Sequence, residues 1–236
     1  MKITRWNPTA NGALHIGHIY SLLVNEHFAH DSGGKFYVRF DDTSQAITAE
    51  MEHPERVSDI IRGQIDDIEW LRFSVDDWIY QSDMLEEVHK KMSKYKAHIV
   101  ADLDIPFYIP QVISKGNTYI CYPYVPGETA ERVIMDNMLG ITHVIRGDEF
   151  LTEYSLYNYF CDIFNMRHPK FSFLPRLVDK NGKDISKTNG GYTIKELRGD
   201  GYTAEEIIKV LERACLTRPG RSWSLYNLRT EPRLDI

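Results

Sequence analysis

The segment Lys2-Ile3-Thr4-Arg5-Trp6-Asn7-Pro8-Thr9-Ala10-Asn11-Gly12-Ala13-Leu14-His15-Ile16-Gly17-His18 passes through three local structures in succession. Residues 2–7 suit a short strand, and Pro8 to Gly12 break it with turn formers. From Leu14 onward Ile16, Ile19, Leu22, Leu23 and Phe28 recur at helical spacing until Gly33-Gly34 ends the run. A helix entered this way carries free backbone N–H groups at its start, and these attract phosphate. His15 and His18 share one face of the first turn, where ring N–H groups can donate to charge developing on a transferring phosphate. Gly17 removes a side chain where a ligand needs close approach.

Outward from this segment, strand and helix alternate. Phe36 to Phe40 reads as a second strand that delivers Asp41-Asp42 at its C-terminal end. A helix from Pro54 buries Ile60, Ile61, Ile65, Ile68 and Leu71; then come a strand at Trp78–Tyr80 and a helix from Asp83 to about His98. Pro106, Pro110 and Gly116-Asn117 interrupt the pattern and predict a small hairpin-like insertion. Alternation resumes with a helix over Glu128–Leu139, a strand over Thr142–Arg146 and a helix over Thr152–Phe164. A proline-bounded stretch to Val178, a loop over Asp179–Gly191 and two helical pieces ending near Cys215 follow. The pattern predicts an α/β fold, a Rossmann-like parallel sheet with helices on both faces. Its parts are the first half of a catalytic domain (1–98), a short insertion (99–127), the second half with a mobile loop (128–190), and a helical C-terminal element and tail (191–236).

Composition agrees with a folded protein. Apolar residues are 42% and charged residues 26%, and no apolar run approaches the roughly 20 residues that span a bilayer, so no membrane partner is expected. The three cysteines, Cys121, Cys161 and Cys215, form no CxxC pair, which points to a reducing, cytoplasmic setting and gives no zinc ribbon. With 28 basic and 34 acidic residues, a globally basic nucleic-acid binder is excluded. A local basic patch is not: Arg213, Arg218, Arg221, Arg229 and Arg233 cluster near the end, as a phosphate-following surface or a solvated tail.

The other informative segment is Asn181-Gly182-Lys183-Asp184-Ile185-Ser186-Lys187-Thr188-Asn189-Gly190-Gly191, where glycines flank a Ser-Lys pair. That is the composition of a mobile loop whose ammonium clamps polyphosphate. With the His15–His18 segment it resembles the signature pair of class I aminoacyl-tRNA synthetases, in particular the glutamyl and glutaminyl branch. The same branch's order is followed by Arg5-Trp6-Asn7-Pro8, Gly34 to Thr43, Tyr80-Gln81-Ser82-Asp83 and Gly140 to Glu149. Lys91-Met92-Ser93-Lys94 spells the second signature better, but it falls on an amphipathic helix and too early in the chain to serve as that loop.

The resemblance, which covers roughly residues 1–215, implies a two-step reaction. An amino-acid carboxylate attacks the α-phosphate of ATP, and the resulting aminoacyl-adenylate gives its acyl group to an acceptor. It implies that His15 and His18 hold the phosphates, that Ser186 and Lys187 close over them, and that Mg2+ accompanies ATP. Thr9, Asn11, Gly17, Gly147, Arg176, Leu177 and Ile185 would line the nucleotide pocket, Arg176 and Leu177 being equally open to plain packing after Pro175. Arg5 and Arg146 match the family's side-chain-binding positions, and two converging guanidiniums suit an acidic substrate such as glutamate. Asp41, beside Thr9, would take the substrate ammonium.

Several positions depart from the family. Glu128 and Arg132 stand where it has a Tyr and an Asn; four apart on a helix, they either line a changed amino-acid pocket or pair with each other. Asp184 replaces the loop's usual first lysine, and the family's zinc-binding cysteines are missing. The insertion is short, and little sequence follows Cys215 for an anticodon-binding domain. These departures leave the acceptor open between tRNA, a tRNA nucleoside and a non-tRNA amine or hydroxyl. A non-catalytic paralogue that binds nucleotide or amino acid is the alternative class. The oligomeric state is not legible.

Overall fold

A computed structural model describes residues 1–43, 54–94, 126–174, 177–179, 192–215 and 233–234. The strands are β1 (Ile3–Trp6), β2 (Lys35–Phe40), β3 (Asp77–Tyr80), β4 (His143–Gly147) and β5 (Lys170–Leu174). They are joined by α1 (Ile16–His30), α2 (Pro54–Trp70), α3 (Gln81–Ser93), α4 (Pro126–Met138) and α5 (Glu153–Ile163). β1, β2 and β3 pair in parallel in that order, with Arg5 opposite Tyr37 and Arg39 opposite Ile79, and β4 pairs in parallel with β5. All of these strands lie parallel to their partners, as strand–helix alternation requires.

β4 packs beside β1, and the two are tied at one end, where the Thr142 N–H donates to the Ile3 carbonyl at 2.9 Å. Farther along, Asn25 of α1 links the two strands. Asn25 Nδ2 donates to the Ile145 carbonyl at 3.1 Å, while Thr4 Oγ1 donates to the Asn25 carbonyl at 2.9 Å. The strands therefore run β3-β2-β1-β4-β5 across the molecule, and the chain reverses its direction of winding between β1 and β4. In an open parallel sheet the crevice beyond the C-terminal strand ends at such a reversal is where ligands bind.

Two apolar layers flank the strands. One gathers Ile16, Ile19, Leu22 and Leu23 of α1 with Phe36, Val38 and Phe40 of β2 and Ile61 and Ile68 of α2. The other joins Val88 of α3, Val133 and Ile134 of α4, and Leu156 and Phe160 of α5. β2 is buried on both faces, so Arg39, alternating with Val38 and Phe40, lies at 0% exposure. The Lys91–Lys94 stretch falls at the C-terminal end of α3, where Lys91 pairs with Glu87 at 3.5 Å and Met92 packs into the second layer.

β5 is the strand that turn residues hid: Pro169 and Pro175 bracket it, although Phe171 and Phe173 alternate as a strand's residues do. The C-terminal pieces are α6 (Ile194–Gly199) and α7 (Ala204–Cys215). Two further strands, β6 (Val178–Asp179) and β7 (Arg233–Leu234), pair in parallel, so this part of the expected solvated tail is tied back to the chain leading into the Ser-Lys loop. Among the described residues no helix is long and apolar enough to cross a membrane. Most of the expected insertion and the Ser-Lys loop itself lie outside the described residues.

Candidate active site

A cavity of about 540 Å³ opens at the reversal point, lined by the ends of β1 and β4, the turn after β1 and the start of α1. Trp6, Thr9, Asn11, His15, Gly17 and His18 come from the first segment, and Arg146 and Gly147 from β4. Asp41, Arg132 and Leu177 complete the predicted residues in the lining. The turn is held from below. Gln64 of α2, buried and not anticipated from sequence, donates Nε2 to the carbonyls of Thr9 at 3.2 Å and Gly12 at 2.8 Å.

The two imidazoles cap their own helix. His15 Nδ1 accepts from the Gly17 N–H at 3.1 Å, and His18 Nδ1 accepts from the His15 N–H at 3.3 Å. The rings stack with centroids 3.7 Å apart. Because each Nδ1 accepts, the neutral rings carry their hydrogen on Nε2, which fixes the donor atom of each. Gly17 has an internal reason to lack a side chain: a Cβ there would lie 3.0 Å from His15 Cε1 and 3.1 Å from Nδ1. The space that suits a ligand is the same space that lets His15 fold over the helix start.

The chain on both sides of the Ser-Lys loop is anchored at this end of the cavity. Leu177, before it, lines the wall. After it, the Ile194 N–H donates to the Leu14 carbonyl at 2.9 Å, and the Ile16 N–H donates to the Tyr192 carbonyl at 3.2 Å. Thr193 thus bridges His15 across a short antiparallel contact. Arg176, Ile185, Ser186 and Lys187 lie outside the described residues.

Beneath the cavity runs a chain of alternating charges. Arg5 donates Nε and Nη2 to Asp136 at 3.1 and 2.9 Å, and Arg39 donates Nη1 to the same carboxylate at 2.9 Å. Tyr157 Oη donates to it at 2.8 Å. Arg39 Nε continues to Asp41 Oδ1 at 3.1 Å, and Asp41 Oδ2 accepts from Asn7 Nδ2 at 3.0 Å with Arg132 Nε 3.5 Å away. Burial alone would push the Asp41 and Asp136 carboxyls up. Arg39 and Arg132 around the first, and Arg5 and Arg39 around the second, hold both below the usual carboxylate range.

This corrects one sequence expectation. Arg5 does not line the cavity; it is 1% exposed and its fork grips Asp136. The reason is strand parity. Thr4 and Trp6 face α1 and the cavity side, so Arg5 points to the opposite face, under α4. Arg146 stays in the lining, with Phe150 stacked 3.7 Å from its guanidinium carbon.

Glu128 and Arg132 realise both readings in part. Arg132 Nη2 donates to Glu128 at 3.2 Å, yet Arg132 lines the cavity and Glu128 does not. Asp136, Arg39, Tyr157 and Glu153 were missed as members of the site. The available signal was an acid at the end of a helix whose neighbours Val133, Ile134 and Met135 are all core residues.

Comparisons with known proteins agree with this architecture. The family model described as tRNA synthetases class I (E and Q), catalytic domain, matches residues 2–131 and 107–223. Glutamate–tRNA ligase 1 of Petrotoga mobilis is 27% identical over 253 residues, covering 88% of this chain and 54% of its own. Glutamate–tRNA ligase 1 of Rubrobacter xylanophilus is 23% identical over 241 residues, covering 91% and 54%. The chain spans about half the length of these curated relatives. The solved glutamate–tRNA synthetase of Elizabethkingia anophelis superposes with a TM-score of 0.72 at 16% identity, over 99% of this chain and 68% of that one. A family match across nearly the whole chain, on a sheet that reverses at a cavity capped by paired histidines, shows that the protein belongs to the class I tRNA synthetase (E and Q) catalytic-domain family.

Proposed function

We propose that the chain activates an amino acid, glutamate being the expected one, as an aminoacyl-adenylate and passes the acyl group to tRNA or a tRNA nucleoside. The observation that carries this is convergence. The helix start with its two imidazoles and both flanks of the Ser-Lys loop meet at one cavity at the strand-order reversal. In the first step a carboxylate oxygen bonds to the α-phosphorus of ATP while the bond to the departing pyrophosphate breaks. Such a step needs positioning and charge neutralisation more than a protein nucleophile. His15 and His18 would donate Nε2–H to phosphate oxygens, and Lys187 would bring an ammonium over the leaving group. Mg2+ would enter with the triphosphate of ATP as part of the substrate. In the second step a hydroxyl or amine of the acceptor attacks the carbonyl, loses its proton and releases AMP.

Arg146 and Arg132 bring guanidiniums to the lining for the substrate side chain, and Asp41 lines the cavity for its ammonium. Exchange of labelled pyrophosphate into ATP, run with each of the twenty amino acids, tests the first step. Glutamate-dependent exchange is the expected result. No exchange with any amino acid overturns activation and leaves a nucleotide- or amino-acid-binding paralogue.

A further inference from the structure

Gln64 falls three residues after Ile61 and four before Ile68, on the stripe of α2 that packs into the apolar layer, yet it carries an amide at 2% exposure. A polar group buried there needs partners, and it finds them in the turn after β1. Nε2 carries two hydrogens, and its acceptors are the Thr9 carbonyl at 3.2 Å and the Gly12 carbonyl at 2.8 Å. Carbonyl oxygens only accept, so the amide has one workable orientation: turned over, it would set its own oxygen against two others. That orientation leaves Oε1 buried without a hydrogen-bond partner among the described residues, so the amide is held in place by what Nε2 does.

The turn needs this hold for a local reason. Gly12 has φ +149°, in the region that favours glycine, and a glycine restrains its own peptide planes least. Residues before it are fixed by the backbone: the Asp41 N–H donates to the Pro8 carbonyl at 3.1 Å, and the Asn11 N–H donates to the Thr9 carbonyl at 2.9 Å. For the Gly12 carbonyl, Gln64 supplies the bond. The same turn brings Thr9 and Asn11 to the lining of the cavity, whereas Gln64 stands outside that lining. Carbonyls drawn toward α2 are carbonyls kept out of the cavity. An oxygen turned into it would put an acceptor where phosphate requires donors.

We infer that Gln64 is a positioning residue for the nucleotide: by fixing the Thr9 and Gly12 carbonyls from behind, it sets how Thr9 and Asn11 meet ATP. It touches no substrate and acts through the turn alone. The inference rests on the reading that this cavity binds ATP.

The test is calorimetric titration of the full chain with ATP and magnesium, in wild type and in variants of α2. Gln64→Met keeps the length of the side chain and removes both donors. It is expected to weaken ATP binding about tenfold, with a far-UV circular dichroism spectrum like that of wild type. Gln64→His keeps one N–H near the place of the amide nitrogen and should fall between the two, a graded rescue that a packing role would not give. Ile61→Val trims the same buried stripe and should lower the melting temperature while leaving ATP affinity within about twofold of wild type. ATP binding by Gln64→Met within about twofold of wild type overturns the inference, whatever its melting temperature. So does an equal loss in Ile61→Val, which would make the effect one of helix packing. If Gln64→Met does not fold, Gln64→His is read alone: a loss of about threefold is expected, and no loss counts against the inference. A wild type that binds no ATP removes the reading of the cavity and the inference with it. Pyrophosphate exchange on the same samples separates the rest. ATP binding that depends on Gln64, without exchange, removes activation and leaves the positioning role standing; exchange with unshifted ATP binding in Gln64→Met does the reverse.

Discussion

Asp136→Asn removes the one charge on which Arg5, Arg39 and Tyr157 all depend. The wild-type carboxylate accepts four hydrogen bonds, two from Arg5, one from Arg39 and one from Tyr157, at 2.8 to 3.1 Å and 2% exposure. Asparagine keeps one acceptor oxygen and turns the other into an NH2 facing guanidinium donors. Among the described residues Arg5 is then left without a hydrogen-bonded carboxylate and Arg39 keeps Asp41 alone, with its Nη2 already lacking a hydrogen-bond partner there. Removing one member of a buried ion cluster costs about 3–5 kcal/mol, because the remaining charges stay buried. Against the 5–15 kcal/mol that typically separates folded from unfolded chains, that is a large share. Urea unfolding followed by circular dichroism at pH 7 measures it. Adding Arg5→Met should recover about 1–2 kcal/mol, since one orphaned charge leaves with its partner. The carboxyl's folded pKa lies below the ordinary 3.8, so its stabilisation is complete above that value and is lost as pH falls through the folded pKa. Asp136→Asn should therefore flatten the acid limb of the stability curve below about pH 4. A variant within 1 kcal/mol of wild type at pH 7, with an unchanged acid limb, would refute the account of the network.

Asp67, pushed up to about 6 by burial with Asp66 nearby, has the opposite sign. Its charged form is disfavoured in the fold, so Asp67→Asn should raise stability by on the order of 1 kcal/mol at pH 7.5, a gain that shrinks as pH falls from about 6 and vanishes below about pH 3, where folded and unfolded carboxyls are both protonated; melts across that range check it. Gly17→Ala should crowd His15 off its helix-capping position and lower exchange turnover about tenfold or more with the fold kept, which circular dichroism alongside the exchange assay would establish. Arg146→Ala should raise the amino-acid KM far more than the ATP KM; equal rises would detach Arg146 from the side-chain subsite. Lys187→Ala should reduce kcat with little change in nucleotide affinity, and an equal loss in both would contradict a role confined to the transition state.

Features written in short-range chemistry were legible before any coordinates. The turn at Pro8–Gly12, the helix after it and the paired histidines depend on residues within a few positions of one another and appear close to where the pattern put them. The helix, however, starts at Ile16 with His15 as its extended N-cap, and the N–H groups of Ile16, Gly17 and His18, expected free for phosphate, are bonded to Tyr192 and His15. Parallel pairing followed from alternation. The Tyr80–Asp83 segment matched a family pattern before its role was visible: Ser82 donates both its N–H and its hydroxyl to Asp42, at 2.9 and 2.6 Å, fastening the end of β2 to the start of α3.

The charges were not legible, because a sequence records which residues are ionic but not which of them cancel. Arg5 and Arg146 stand in equivalent motif positions, yet one is consumed by an acid 131 residues away and the other keeps a face in the cavity. Parity along β1 already separated them: with Trp6 committed to the cavity side, its neighbour in an extended strand must face the other way. Glu153 had no such clue, since a glutamate opening a helix reads as favourable dipole chemistry on a solvated turn. Only the approach of α4 and β4 to that turn makes it a buried counter-ion. Family membership therefore predicts where a substrate sits better than it predicts which substrate. The position of the cavity follows from backbone topology, whereas the charge balance at its wall depends on buried carboxylates such as Glu153, which accepts from both Arg132 and Arg146 and which a divergent family member can change without disturbing a strand.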